Sequence, residues 1–435
     1  MTISAIRLLN FRNWTEEHWQ AGVALKPVTL VLGRNSAGKT SILQPLRLLK
    51  QTIEVTDAGT HLFLNAGSSD GANLGAFTDV VNGHDPKREL GFGFDLVEKE
   101  VSVDVRFRQV DERPVIESLS YKIRDERIEV TRTPNAYQLA SPRFRLPNWD
   151  GERDVHEAKK AYEPGRGIEL SEQALTDLGP TLGPQVRGAM VAVKEAFKSF
   201  HYLGPLRPPP AREFTWSQQD PTRLGSTGSE TVQALIGNET GKNKGALKAV
   251  SGWLKKLDLA DGIEITRVGK TLFYQIDILR GTNRSNLVDV GYGVSQVLPV
   301  IVLLHFVPEG SVILCEDPEA HLHPMAQAGL ADLFVEVAKQ RKLQVLLETH
   351  SEHLFRRLQY LIAEGTARTE DCALYYVERD EPSAKLTTLE SDEFGRVKNW
   401  PEHLFGDALG EAGRQMRAMV ARLQGTKSAS VSEVK

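Results

Sequence analysis

The sequence has little cysteine and no long uninterrupted apolar run. Its 435 residues include two cysteines, Cys315 and Cys372, too few for a disulfide framework or a cysteine zinc knuckle. The longest apolar stretch, Val294–Val307, spans 14 residues and is interrupted by a glutamine, a proline and a histidine, so it cannot cross a bilayer. The N-terminal residues show no charged leader followed by an apolar stretch and a cleavage site. We therefore expect no membrane contact and a location in the reducing cytoplasm.

The chain also lacks a strong excess of either charge. With 53 Lys and Arg against 57 Asp and Glu, the net charge is −4, which gives no overall attraction to nucleic acid. The 40% hydrophobic and 25% charged residues are typical of a globular protein with a large core. The length fits two or three domains, or one large α/β domain that carries an insertion.

Two kinds of strand pattern occur along the chain. Between residues 89 and 132, four short alternating segments separated by charged turns predict an antiparallel sheet. In the C-terminal half, the short apolar strands Val312–Cys315 and Val345–Thr349 alternate with helical patterns. These helices are predicted at Val294–Phe306, Leu322–Lys339 and Ser351–Glu364. Buried strands that alternate with helices predict a parallel sheet covered on both faces.

These patterns predict four units along the chain. They are an N-terminal lobe (residues 1–132), an inserted loop and helical segment (133–199), a C-terminal lobe (200–424) and a polar tail (425–435). Within the insertion, helices are predicted at Ser171–Leu178 and Gln185–Ser199, after a stretch rich in proline, glycine and charge. The tail is predicted to be disordered because it is polar and short of apolar residues. Both lobes are expected to share one core.

A glycine-rich motif, GxxxxGK[ST], follows the predicted strand Val28–Leu32 and precedes the predicted helix Thr40–Gln51. Its glycines let backbone N–H groups curl around phosphate oxygens, and the helix N-terminus adds its positive end. We predict that Lys39 binds the β- and γ-phosphates of a nucleotide and that Thr40 is a ligand of Mg²⁺. The candidate nucleotide-binding residues here are Gly33, Arg34, Asn35, Ser36, Ala37, Gly38, Lys39, Thr40 and Ser41.

The strand Val312–Cys315 runs directly into a group of carboxylates, Glu316, Asp317 and Glu319. Carboxylates at the end of a buried strand can hold Mg²⁺ and orient a water for in-line attack on a γ-phosphate. Acidic residues that cap the next helix would explain one of these carboxylates but not three. These three carboxylates are therefore candidates for Mg²⁺ binding and for orienting the water.

Two weaker motifs flank this acidic group. Upstream, Ser295 lies in a glycine-rich turn at the start of an apolar helix, where phosphate oxygens could bind. Downstream, His350 ends the buried strand Val345–Thr349, where it could donate to a γ-phosphate. Each is common by itself, since serine and glycine often begin helices and a terminal histidine is usually a cap or a surface residue.

The order of these motifs resembles the ABC-type ATPases, in particular the SMC/RecF/OLD-like branch that includes prokaryotic defence-associated AAA proteins. The acidic group begins 21 residues after Ser295, and His350 follows 34 residues later. The segments NFRNW, GRNSAGKTS, YLGPLRPPPAR, DVGYGVSQVLPV, EDPEAHLHP, ETHSEHL and DEFGRVKNWPEHLFGD share this resemblance. It implies an α/β P-loop NTPase fold with an antiparallel β-rich N-terminal lobe and an inserted helical segment.

The resemblance also implies site roles and cofactors. ATP and Mg²⁺ are the expected cofactors, and His350 is the expected switch histidine. Ser295 is expected to cap the γ-phosphate bound by a second copy, so that ATP joins two chains head to tail and hydrolysis releases them.

The acidic pair departs from the common order of aspartate followed by glutamate. Here Glu316 precedes Asp317, so the resemblance implies that Glu316 is a Mg²⁺ ligand together with Thr40. The shorter Asp317 then becomes the candidate that polarises the attacking water. A displacement of about 1 Å costs on the order of a hundredfold in rate, so hydrolysis is expected to be slow, or Glu319 shares the task. Asp79 lies roughly where the family has a glutamine, and this is a poor match.

Other charged and histidine-rich segments have less specific interpretations. A metal site built from His321, His323, His350 and His353 is disfavoured, because the spacing lacks a second fixed ligand pair. The segment 242–256 holds Lys242, Lys244, Lys248, Lys255 and Lys256 together with Trp253. It fits a nucleic-acid or partner surface, although a solvated helix face is the simpler interpretation. Arg207 and Arg212 could reach the nucleotide or a neighbouring subunit, or form surface ion pairs.

The leading hypothesis is the sensor or scaffold ATPase of a prokaryotic anti-phage defence system. The 85 residues after His350 show no cluster of Glu and Asp-x-Asp, so we expect a separate effector, such as a nuclease. A RecF-like DNA-repair clamp, with direct DNA binding, is one alternative. A scaffold that holds ATP with little turnover is another.

Overall fold

The computed structural model describes residues 2–55, 57, 59–66, 71–141, 144–145, 162–165, 167–240, 245–380, 383–401, 404–405, 415–416 and 418–419. The strands are β1 (Ile3–Leu9), β2 (Val23–Ala24), β3 (Val28–Gly33), β4 (Leu90–Leu96), β5 (Val101–Val110), β6 (Arg113–Ile123), β7 (Glu126–Arg132), β8 (Tyr137–Ser141), β9 (Phe144–Arg145), β10 (Phe200–Leu203), β11 (Phe214–Thr215), β12 (Gly262–Arg267), β13 (Phe273–Arg280), β14 (Asn283–Asn286), β15 (Val312–Glu316), β16 (Gln344–Thr349), β17 (Cys372–Asp380) and β18 (Ser383–Thr388). The helices are α1 (Glu16–Ala21), α2 (Lys39–Glu54), α3 (Phe77–Val80), α4 (Glu172–Asp177), α5 (Gly179–Lys198), α6 (Thr231–Thr240), α7 (Gly245–Lys256), α8 (Tyr292–Phe306), α9 (Pro324–Arg341) and α10 (Glu352–Ala363). Within these ranges, none of the helices combines the length and apolarity that a bilayer crossing needs.

An eight-stranded antiparallel sheet forms the N-terminal part, in the order β2-β1-β4-β5-β6-β7-β8-β9. The alternating segments predicted between residues 89 and 132 are its strands β4 to β7, so that prediction is confirmed. The sheet continues past residue 132, because Arg132 pairs with Tyr137 of β8. Helix α5 packs on the same sheet, with Phe197 edge-on to Phe94 at 5.1 Å. The expected boundary at 132/133 therefore falls inside one sheet.

The second sheet has six strands in the order β10-β15-β16-β3-β17-β18, and only β18 runs antiparallel to its neighbour. Its successive residues alternate between two hydrophobic cores. Val31 and Leu346 face the core that contains α2, whereas Leu30 and Leu347 face the core that contains α8, α9 and α10. This is the predicted parallel sheet covered on both faces. Strands β17 and β18, by contrast, are absent from the sequence-based pattern.

A small third sheet holds β11, β12, β13 and β14. Strands β12 and β13 form an antiparallel hairpin. Strand β14 leads through the short turn Leu287–Asp289 into the N-terminus of α8. This sheet therefore fixes where the glycine-rich start of α8 emerges at the surface.

Candidate functional site

The predicted motifs meet at the carboxyl ends of three neighbouring parallel strands. Strand β16 lies between β3, which enters the glycine-rich loop, and β15, which ends in Glu316. Ligands of open α/β sheets bind outside the carboxyl ends of their strands. The sheet order thus brings the loop, the acidic group and His350 to one edge.

The glycine-rich loop joins β3 to α2. A Cβ at Gly33 would overlap the carbonyl oxygen of Val377 on β17, so no larger residue fits there without a shift of the backbone. Gly38 precedes α2 with a positive φ of 105°. Arg34, Asn35 and Ser36 are exposed at the rim of the loop. The buried residues of the motif are Ala37, Lys39 and Ser41.

Lys39 is 4% exposed, and its ammonium group is held by the ends of the neighbouring strands. Its Nζ lies 2.9 Å from His350 Nε2, donates to the carbonyl oxygen of Arg34 at 3.0 Å, and lies 3.9 Å from Glu348 Oε1. Burial lowers the pKa of Lys39, against the opposing effect of nearby carboxylates led by Glu348. Burial and the Lys39 charge also lower the pKa of His350. A neutral imidazole that accepts from Lys39 fits both directions.

Glu348 is a site residue that the sequence-based assignment missed. Its Oε1 accepts a hydrogen bond from the Thr40 hydroxyl at 2.8 Å, so it contacts the residue predicted to bind Mg²⁺. Burial, and then the charge of Glu316, raise the pKa of Glu348 to about 7. The signal in the sequence was a glutamate two residues before His350, directly after the apolar run Val345–Leu347.

Glu316 and Asp317 end β15 in different environments. Glu316 is buried, and burial raises the pKa of its carboxyl group, although a hydrogen bond with Tyr202 opposes this. Asp317 is partly exposed, adopts a positive φ of 43°, and its N–H donates to the Glu348 carbonyl oxygen at 2.9 Å. The turn at Asp317 therefore ties β15 to β16 beside the loop.

Glu319 makes its contacts with the end of β16. Its Oε1 accepts hydrogen bonds from the Thr349 hydroxyl at 2.6 Å and from the His350 N–H at 2.9 Å. Burial raises the pKa of Glu319, against these hydrogen bonds. The geometry gives Glu319 the position of a support for His350, which differs from the shared role in water activation expected from the sequence.

The hydroxyl of Ser295 is bonded within its own helix. This residue is 7% exposed in the first turn of α8, and its Oγ donates to the Tyr292 carbonyl oxygen at 2.8 Å. The residues that face outward at this helix N-terminus are Gly291 and Tyr292, with Gly293 half-buried. They lie beside a cavity of about 440 Å³ that is also lined by Arg280 and His321. The expected contact of Ser295 with the γ-phosphate of a second copy stays a prediction.

Arg207 connects α8 to the acidic strand from inside the chain. It is 5% exposed and donates to the carbonyl oxygens of Gln296 at 3.1 Å, Glu316 at 3.0 Å and Asp317 at 3.2 Å. Arg212 instead forms an exposed ion pair with Asp289 at 2.6 Å. Of the two arginines, only Arg207 is part of the site.

The remaining candidates lie apart from the loop or have local contacts. Asp79 caps α3 by accepting from the Ala76 N–H at 2.7 Å. Trp253 is 5% exposed, and Lys256 lies 4.0 Å above its ring and pairs with Glu336 at 2.8 Å. Lys248 and Lys255 lie on the same helix α7, while Lys242 and Lys244 lie outside the described residues, as does the tail 425–435. A buried tryptophan offers no stacking platform for bases.

The histidines proposed for a transition-metal site have separate partners. His321 packs edge-on against Tyr292 at 5.0 Å, His323 accepts from the Met325 N–H at 3.4 Å, and His353 is exposed. In the part of the chain with described coordinates, no three His, Cys, Asp or Glu side chains converge to hold a metal. Mg²⁺ needs fewer protein ligands, because it keeps several waters and binds substrate phosphates.

The site fits Mg²⁺ in its donor chemistry. Glu316 Oε1 and Glu348 Oε2 are buried and accept no hydrogen bond from the described residues. Glu348 lies near Lys39 and accepts from the Thr40 hydroxyl, and Glu316 interacts electrostatically with Lys39. These are oxygen donors with surplus negative charge, the type of site that a hard divalent cation prefers.

Comparison with known proteins gives a family and a set of similar folds. Residues 28–356 match the family described as "AAA domain, putative AbiEii toxin, Type IV TA system", and residues 368–415 match one described as "Protein of unknown function (DUF3696)". No curated protein matches the chain.

Three solved structures illustrate the fold-level similarity. An SMC head bound to the C-terminal winged helix domain of ScpA has 12% identity and a TM-score of 0.43, over 90% of this chain and 98% of that one. The SMC head domain from Thermotoga maritima has 11% identity and a TM-score of 0.41, over 90% and 100%. An SMC head from Pyrococcus furiosus, bound to the C-terminal domain of ScpA, has 12% identity and a TM-score of 0.40, over 89% and 96%.

Proposed function

Because this chain belongs to the AAA domain family of the AbiEii toxin type, we propose that it binds and hydrolyses ATP, and that ATP joins two copies head to tail as a switch. One observation carries the proposal. Lys39, Thr40, Glu316, Glu348 and His350 converge at the carboxyl ends of adjacent parallel strands. Nothing else in the described fold gathers a lysine, a hydroxyl and buried carboxylates beside a glycine-rich loop.

In this proposal, the loop and Lys39 bind the β- and γ-phosphates. Lys39 would exchange its bonds to His350 and the Arg34 carbonyl for phosphate oxygens, which frees His350 to face the γ-phosphate. Mg²⁺, held by Thr40 and Glu316, would neutralise charge on the β- and γ-oxygens.

Asp317 is the candidate to orient the attacking water. The water oxygen would attack the γ-phosphorus as the bond to the β,γ-bridging oxygen breaks, giving ADP and inorganic phosphate. Glu319 would act as a positioning residue, because its carboxylate accepts hydrogen bonds from the His350 N–H and from the hydroxyl of the neighbouring Thr349. Asp317 is shorter than the usual glutamate, so slow turnover is expected.

The proposed head-to-tail contact uses the N-terminus of α8. Its backbone N–H groups at Gly291–Gly293 form the positive end of a 15-residue helix, which suits a phosphate bound by another copy. Tyr292 is 44% exposed there. We expect Mg-ATP to convert monomers to dimers in light scattering coupled to gel filtration, and Lys39→Ala to remain monomeric.

The biological role that we propose is a sensor or scaffold in anti-phage defence, with a separate nuclease-like effector. The family description, which names a type IV toxin system, supports this role. The test is phage plating on cells that carry this gene with its genomic neighbours, against the same cells with Lys39→Ala. Equal plating on both would contradict a defence role.

A second candidate is a scaffold that holds ATP with little turnover, and one observation favours it. Lys39 and Thr40 are tightly engaged by Glu348 and His350, and the water-orienting position carries the short Asp317. The deciding measurement is steady-state phosphate release with Mg-ATP, with and without double-stranded DNA, using Lys39→Ala as the blank. ATP binding without release would favour the scaffold, whereas stimulation by DNA would favour a RecF-like clamp.

A further inference from the structure

Glu348 occupies the middle strand of the site. In the parallel register, Glu348 of β16 pairs with Val31 of β3 on one side and with Glu316 of β15 on the other. Side chains at paired positions of neighbouring strands project to the same face of a sheet. The carboxylates of Glu316 and Glu348 therefore stand side by side at the edge where α2 begins.

The contacts of Glu348 lead to the residue expected to bind the cation. One carboxylate oxygen, Oε1, accepts from the Thr40 hydroxyl at 2.8 Å, and the same oxygen lies 3.9 Å from Lys39 Nζ. The other oxygen, Oε2, is buried without a hydrogen-bond donor among the described residues, and Glu316 Oε1 is in the same state. Buried carboxylate oxygens normally have hydrogen-bond or metal partners, because burial without a partner removes their hydration and gives nothing in return.

We infer that Glu348, together with Thr40 and Glu316, holds the divalent cation that accompanies ATP. The inference rests on the proposed function and adds to it a carboxylate from β16, the strand between β3, which enters the glycine-rich loop, and β15. A hard cation between the two carboxylates supplies the partner that their buried oxygens lack, and it offsets the repulsion between them.

The experiment measures the cation directly, with Mn²⁺ as the probe. Electron paramagnetic resonance of free Mn²⁺ gives its affinity for the full-length protein saturated with a non-hydrolysable ATP analogue. The variants are Glu348→Gln, Glu348→Asp and the matched control Glu393→Gln, whose side chain is exposed. A second readout is the ratio of the Kd for the ATP analogue in EDTA to its Kd in Mg²⁺.

Glu348→Gln is expected to weaken Mn²⁺ binding about tenfold or more and to bring the Kd ratio close to one, while Glu393→Gln matches the wild type. Glu348→Asp keeps a carboxylate and should retain part of the affinity. Wild-type Mn²⁺ affinity and Kd ratio in a folded Glu348→Gln variant would overturn the inference alone. A wild-type chain that binds no ATP analogue would overturn the proposed function together with it.

Discussion

The carboxylate of Glu319 accepts the hydroxyl of Thr349 at 2.6 Å, across the gap between the acidic turn and the end of β16. The same oxygen also accepts the N–H of His350 at 2.9 Å. Through this one oxygen of Glu319, the segment after β15 helps to fix the position of His350. A displacement of the acidic turn would therefore also move the end of β16, and the reverse holds as well.

The first prediction concerns this link. Thr349→Val removes the hydroxyl donor and leaves Glu319 with one fewer partner in a buried position, so the free energy of unfolding should fall by about 1–3 kcal/mol. Phosphate release should also slow, because His350 is less well held. Thr388→Val, at an exposed site on β18, is the control for denaturation and turnover. Unchanged values in Thr349→Val would argue against a support role for Glu319.

The second prediction concerns the length of Asp317. Asp317→Glu adds one methylene and should raise the rate of phosphate release by up to about a hundredfold if reach limits the reaction. Asp317→Asn should lower the rate and leave the Kd for ATP within about threefold, because the amide cannot accept a proton from water. If both variants lower the rate equally, Asp317 stabilises the turn between β15 and β16 and does not orient the attacking water.

The third prediction uses the pKa of Glu348, which is raised to about 7 in the folded protein by burial and by Glu316. Below the pKa that Glu348 has in the unfolded chain, its carboxyl group is protonated in both states and does not change the free energy of unfolding. Between that pKa and about 7, Glu348 ionises only in the unfolded chain, so the free energy of unfolding falls as the pH rises through this range and stays low above it. In EDTA and without nucleotide, Glu348→Gln should therefore gain about 2 kcal/mol more at pH 8 than at pH 5.5. Urea denaturation at the two pH values measures this difference, with Glu393→Gln as the control.

The fourth prediction concerns His201 on β10, whose pKa is lowered to about 4, first by burial and then by Lys50 and Arg223. The neutral imidazole is favoured in the fold, so its stabilising effect is complete above pH 6.5 and is lost as the pH falls towards 4. Between pH 7 and pH 5, the titration of His201 should lower the free energy of unfolding of the wild type by about 2 kcal/mol. His201→Gln should remove that part of the acid sensitivity. Exposed His353→Gln should behave as the wild type, and an equal response of both variants would refute the assignment.

Motif and periodicity predicted much of this arrangement. The strands that flank the phosphate loop and the acidic turn are short runs of apolar residues, and their ends carry the motif residues. Glu348 escaped prediction because its role depends on strand order: only the placement of β16 between β3 and β15 brings it to Thr40. Ser295 was assigned from its motif; its hydroxyl donates to the Tyr292 carbonyl oxygen in the first turn of α8, and its contact with a second copy stays a prediction.

Strand β17 was missed for a different reason. Its residues Cys372–Val377 are buried on both faces of the sheet, so they show no alternation, and no glycine motif or catalytic residue marks them. A fully apolar run of this length cannot be distinguished from a buried helix by its period. Only its pairing with β3 identifies it as a strand of the central sheet.

The pairing of β3 also limits how early the site can form while the protein is being synthesised. Val28 has Val345 as its partner on one side and Cys372 on the other, and Gly33 is matched with Val377. At about 5–20 residues per second, a ribosome needs roughly 20–70 s to go from the phosphate loop to β17. Until β16 has been made, the strand that carries the loop has neither of its neighbours, whereas the antiparallel sheet of the N-terminal part has all its strands once residue 145 has been made. The nascent chain therefore cannot acquire a finished nucleotide pocket early, and the emerging apolar strand β3 is the segment that a chaperone would need to shield.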